Sequence, residues 1–143
     1  MKPEYMKQAL ELAKTSGNDV PVGAVIVKNG EIIAFAVNEK EKIQDATAHA
    51  EILAIQRASL KLKNWRLSDC EMYVTLEPCP MCASAIIQSR VGKLYFGAYD
   101  LVNGAFGSKT DMAGIMGIKI EYFGGILEEE CSSILKDYFK ELR

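Results

Sequence analysis

Two short strings in this chain combine residue types that can hold a metal ion and move a proton. Thr47-Ala48-His49-Ala50-Glu51 places an imidazole and a carboxylate two positions apart, and Glu77-Pro78-Cys79-Pro80-Met81-Cys82 places two thiols three apart. Pro80 suits the first turn of a helix, so Cys79 and Cys82 are expected at a helix start with their sulfurs on one face. The positive end of a helix favours thiolate, and thiolate is the form that binds metal. With His49 these make a donor set of one nitrogen and two sulfurs, suited to zinc. Two thiolates balance a Zn²⁺ ion, and three protein donors leave a fourth position for water, which is the catalytic rather than the structural pattern. Thr47 is a candidate helix cap. If a helix starts just after it, His49 and Glu51 can both reach round its first turn, and the metal is expected there. A carboxylate beside zinc-bound water, whose pKa falls to about 7, can take the proton and deliver it to a leaving group.

Each string has a plainer alternative. A CxxC pair in a reducing compartment can be a redox dithiol. Cys70 and Cys131 could complete a closed four-sulfur site, but neither has a ligand-like neighbour close in sequence, and both read better as buried thiols. A lone histidine is more often structural than ligating. The conjunction of the two strings, each at an expected helix start, favours the metal. His49 is the only histidine, which excludes sites needing two imidazoles in one chain.

The rest of the chain must bring these strings together. At 143 residues with 49% apolar and 25% charged side chains, it is expected to form one domain, residues 1–143, with a core that needs no disulfide staples. No apolar run approaches the length of a membrane span, and the interleaved N-terminus does not read as a signal peptide. The expected setting is cytoplasmic, with reduced cysteines.

Met6, Ala9, Leu10 and Ala13 have helical spacing behind Pro3, and Ser16-Gly17-Asn18 ends that helix. Residues 22–28 and 31–38 read as strands joined by Asn29-Gly30, a strong hairpin signal. A polar stretch over 39–45 follows, then the helix after Thr47, carrying Ile52, Leu53, Ile55 and Leu60. Residues 72–76 form a buried strand, Glu77-Pro78 halts it, and a helix runs from Pro80 to about residue 88. Strands are expected over 93–96 and 119–123, with a glycine-rich loop between them that holds one helical turn at most. Residues 128–142 form an amphipathic helix with Ile134, Leu135, Tyr138, Phe139 and Leu142 inward. A hairpin followed by alternating strands and helices predicts an α/β fold, a mixed five-stranded sheet in a three-layer α/β/α domain.

H-x-E followed by P-C-x-x-C is the known signature of zinc nucleobase deaminases. The chain resembles the bacterial tRNA-specific adenosine deaminases, a branch of the cytidine-deaminase-like zinc enzymes. The resemblance runs through Pro21–Val25, Thr47–Glu51, Trp65-Arg66-Leu67, Tyr73–Cys82, Gly104–Ser108 and Gly125–Cys131. It implies one zinc per subunit held by His49, Cys79 and Cys82, with Glu51 as the catalytic proton shuttle. Asn38 matches an asparagine that hydrogen-bonds the purine, and Asp100 an acidic loop residue that touches the substrate backbone. From the residues alone, Asn38 would be a polar strand end and Asp100 a solvated loop aspartate. The family further implies a homodimer that deaminates the wobble adenosine in the anticodon loop of tRNA, the base being flipped from an unpaired loop.

Charge departs from this picture. The chain has 17 basic against 19 acidic residues, a net charge of −2. Residues 112–120, MAGIMGIKI, lack the basic groups common there in the family, and residues 39–45 sum to −1. Both reduce the field that attracts phosphates. Arg57, Lys61, Lys63 and Arg66 form a run without acids, which also suits a solvated helix C-terminus. Deamination of a free base or nucleoside (guanine, cytosine or cytidine) therefore stands as a rival, and a non-catalytic zinc-stabilised binding module as a more remote one.

Overall fold

The computed structural model describes residues 1–142, arranged around one twisted sheet. Eleven elements are found among them, in the order α1 (Pro3–Ala13), β1 (Gly23–Lys28), β2 (Glu31–Val37), α2 (Lys40–Ile43), α3 (Ala50–Leu62), β3 (Cys70–Leu76), α4 (Pro80–Gln88), β4 (Lys93–Ala98), α5 (Met112–Met116), β5 (Glu121–Phe123) and α6 (Glu128–Glu141). The strand order is β2-β1-β3-β4-β5. β1 pairs antiparallel with β2 and β3, while β3–β4 and β4–β5 are parallel, so the sheet is mixed. Asn29 and Gly30 both have positive φ, 51° and 76°, as a two-residue hairpin turn matching the strand twist requires.

Side chains alternate across the central strands, because successive Cβ atoms of a strand point to opposite faces. Ala24 and Ile26, Met72 and Val74, and Leu94 and Phe96 face a layer containing α3 and α4. Val25 and Val27, Tyr73 and Tyr95 face a second layer that includes Met6, Ala9 and Leu10 of α1 and Cys131 of α6. This is the predicted three-layer α/β/α arrangement. α3 presents Ala50, Ala54 and Ala58 inward, small residues that let the helix approach the sheet. Gly97 does the same for α6, since a Cβ there would lie 2.2 Å from the Cys131 sulfur. No helix among the described residues is long and apolar enough to cross a membrane.

Five local expectations are corrected. The polar 39–45 stretch contains the short helix α2, whose Glu41 and Lys42 amides donate to the Asp19 carboxylate. Thr47 does not cap α3. It lies two residues before the N-cap, His49, and its hydroxyl donates to Asp45 instead. Leu60, read as part of that helix's apolar face, is 78% exposed. On α6, Phe139 and Leu142 are exposed rather than in the core, and the helix, which packs on β3 and β4, buries only Cys131 fully. The last strand is also shorter than expected, three residues at the sheet edge.

Candidate active site

The site forms where two helix starts meet at the ends of two sheet strands. β3 runs out at Leu76, Glu77-Pro78 turns the chain, and Cys79 becomes the N-cap of α4, with Cys82 in its first turn. β1 inserts between β2 and β3, which carries α3 across the same sheet face, and His49 becomes the N-cap of that helix. Both positive helix ends thus point at one spot.

His49 Nδ1 lies 3.7 Å from the Cys79 sulfur and 3.5 Å from the Cys82 sulfur. The three donor atoms all fall within 4.8 Å of one another. Zinc bonds of about 2.3 Å to sulfur and 2.0–2.1 Å to nitrogen, at tetrahedral angles, imply nitrogen–sulfur edges of about 3.5–3.6 Å. The observed spacings fit that ion without rearrangement. The proton inventory points the same way. Cys79 is pulled down to about 4, chiefly by the hydrogen bond from Cys82 and also by His49. Cys82 is driven upward by donating to Cys79 and by burial. His49 is raised by its hydrogen bond to Cys79. Two adjacent sulfurs thus share one negative charge, and a dication among them would let both ionise.

Glu51, two positions into α3, is 4% exposed and lines the cavity with His49 and Cys79. Burial raises its ionisation to about 7, with the Cys79 charge adding to the shift. A carboxyl poised near neutrality is suited to taking and returning a proton. The cavity has a volume of about 610 Å³, ample for a nucleobase. Lys40 is the only lysine or arginine among the residues lining it, against Asp19, Glu51, Glu77 and Asp100.

Asn38 also lines the cavity, and its amide ties two elements together. Its Oδ1 accepts the Ala50 N–H at 2.8 Å, capping α3, and its Nδ2 donates to Val20 O at 3.1 Å. Asn38→Ala should therefore cost about 2 kcal/mol of stability, roughly half from the cap and half from the second hydrogen bond. A urea titration reads it as a lowered midpoint with unchanged slope. Asp100 also lines the cavity, but its Oδ1 accepts the Val102 and Asn103 amides, both at 3.0 Å, so it shapes its own loop.

Cys70 and Cys131 are buried and remote from the cluster, 1% and 0% exposed, and burial pushes Cys131 up to about 12. Arg57, from the basic run, donates to Phe35 O at 2.8 Å and approaches Glu39, while Arg66 lies over the Trp65 ring. Two buried carboxylates escaped the sequence reading. Asp19 accepts backbone amides of α2, and Glu77 accepts those of residues 100–108. Glu77 stood next to Pro78 and read only as a strand stop.

Known proteins match this chain over nearly its whole length. The sequence profile of the MafB19-like deaminases matches residues 2–143. The tRNA-specific adenosine deaminase of Bacillus subtilis (strain 168) is 47% identical over 143 residues, covering 97% of this chain and 89% of that protein. A solved structure from work on A-to-I editing by tRNA:A34 deaminases at the wobble position of transfer RNA superposes with a TM-score of 0.87 at 37% identity, covering 94% of this chain and 100% of that one. A guanine deaminase structure from Nitrosomonas europaea follows at a TM-score of 0.84 and 27% identity, covering 96% and 84%. Likeness that extends from end to end in both sequence and backbone makes this chain a deaminase, a member of the MafB19-like deaminase family and a relative of the tRNA-specific adenosine deaminases.

Proposed function

We propose that this chain, one domain over residues 1–143, is a zinc-dependent hydrolase that converts the wobble adenosine of a tRNA anticodon to inosine and releases ammonia. It works in the cytoplasm as a homodimer. The observation that carries this reading is Glu51, a buried carboxyl lining the cavity beside the three-donor cluster of His49, Cys79 and Cys82. The 47% identity to a tRNA-specific adenosine deaminase selects the substrate over the guanine of the more distant structural relative. Self-association is supported by large apolar side chains exposed away from the cavity, Leu60, Trp65 and Ile115.

His49, Cys79 and Cys82 would hold the metal, whose charge would let both sulfurs ionise. Zinc bound there supplies a water acidic enough to lose a proton near pH 7. Glu51 accepts a proton from the attacking water and delivers it to the purine ring nitrogen beside C6. The hydroxyl's remaining proton then crosses the same carboxylate to the amine, which leaves C6 as ammonia while the carbonyl of inosine forms. Asn38 holds the start of α3, and with it His49 and Glu51, in place against the purine.

The deciding measurement incubates the protein with an anticodon stem-loop bearing adenosine at the wobble position, and separately with free adenosine, guanine and cytidine. Inosine in the digested stem-loop with no ammonia from the free compounds is the expected result. Ammonia from guanine and none from the stem-loop would replace this reading with free-base deamination.

A further inference from the structure

We propose that Glu77 is a positioning residue for substrate binding: its carboxylate is the template on which residues 100–108 fold into the outer wall of the cavity. Nothing in the chemistry above uses it. The side chain is 1% exposed and directly follows β3. Oε1 accepts the Asp100 amide at 3.1 Å and the Ser108 hydroxyl, and Oε2 accepts the amides of Phe106 at 3.0 Å and Ser108 at 3.2 Å. Four donors from one loop converge on two oxygens, an arrangement that only an acceptor-only group can satisfy.

The loop is closely wrapped around that carboxylate. A Cβ at Gly104 would lie 2.4 Å from Glu77 Cδ and 2.4 Å from Asp100 O. Gly104 donates to Asp100 O, and Ala105 donates to Pro78 O, both at 2.8 Å. The Gly104-Ala105-Phe106-Gly107-Ser108 string is thereby explained. Its glycine permits the close approach, and its serine supplies two of the four donors.

This template holds up a wall that the core does not. Tyr99, Leu101 and Val102 line the cavity, yet are 48%, 78% and 73% exposed. Large apolar side chains around a cavity mouth need a partner. In an unpaired RNA loop, the bases flanking a flipped nucleotide offer flat faces to such side chains. With Lys40 as the only lysine or arginine lining the cavity, apolar contact here substitutes for part of the missing phosphate attraction. Glu77 therefore acts on affinity for the loop and leaves the proton transfers to Glu51.

The inference rests on the RNA substrate proposed above, so its test has one arm that needs no substrate. In Glu77→Gln, an amide NH₂ must face backbone donors, while side-chain volume is kept. Hydrogen exchange at the Phe106 and Ser108 amides should accelerate by about tenfold or more, as expected for a lost charge-assisted bond. With the stem-loop, KM should rise about tenfold while kcat stays within about threefold, and zinc content should hold at one per chain. Ser108→Ala, which removes one donor and spares the carboxylate, should shift KM in the same direction by about threefold, and it carries the test if Glu77→Gln fails to fold. Slow exchange in Glu77→Gln overturns the template. Fast exchange with unchanged KM overturns the binding role, as does loss of zinc with a matching loss of kcat. Wild-type protein that makes no inosine overturns the substrate reading, and the binding role with it, while the exchange arm still decides the template.

Discussion

Glu51→Gln should lower the rate of inosine formation by at least about a thousandfold while zinc remains bound at one ion per chain, the upper part of the range for a lost general acid–base. Gln matches Glu in size, so the cavity keeps its shape, but an amide cannot take a proton from water and return it to a leaving amine. The side chain is 4% exposed, and its ionisation is raised to about 7 mainly because burial disfavours the charge. Replacing it with a neutral amide removes that unfavourable charge, so thermal stability should hold or rise slightly. Single-turnover deamination of the stem-loop, with metal content measured on the same sample, separates the effects. A variant within about tenfold of wild type would show that another group moves the proton. An inactive variant that has also lost its metal would place Glu51 in the ligand set.

Cys82→Ala should abolish activity by a different route, through the metal itself. Cys82 is fully buried in the first turn of α4 and stands 3.5 Å from His49 Nδ1. Its loss leaves one sulfur and one nitrogen, too few to retain zinc against dilution. Metal content should fall from one ion per chain to about a tenth or less. Because bound zinc stabilises only the folded state, the melting midpoint should drop by about 5–10 °C. Chelator added to wild-type protein should bring its midpoint down to a similar value, and the same chelator should leave Cys82→Ala unmoved. A Cys82→Ala protein that still carries stoichiometric zinc would point to a fourth donor and a different site.

Much of the architecture was legible where local chemistry dominates. Asn29-Gly30 sets its hairpin because two consecutive positive φ angles are cheap for that pair. Pro80 marks the start of α4 because a proline fits where the first amides are free. The α1 face, with Met6, Ala9, Leu10 and Ala13 buried, appears as expected from its 3.6-residue period. The misses share a cause. Thr47 looked like a cap because its type is right for one, but the Ala50 amide is taken by Asn38, twelve residues earlier. Phe139 looked like core because its spacing is right, but the ring is 48% exposed and lines the cavity instead.

The donor types and the helix starts that carry them belong to the sequence. His49, Glu51, Cys79 and Cys82 could be named from type and spacing, since metal affinity and thiolate character depend on the side chains and on the first helical turn. Their meeting belongs to the tertiary structure. His49 and Cys79 are thirty positions apart, and they meet because β1 pairs between β2 and β3, a choice made by burial of both sheet faces. The roles of Asn38, Asp19 and Glu77 were decided there too. A polar side chain that satisfies backbone amides distant in sequence has no period and no local signature, so its function appears only when the chain has folded around it.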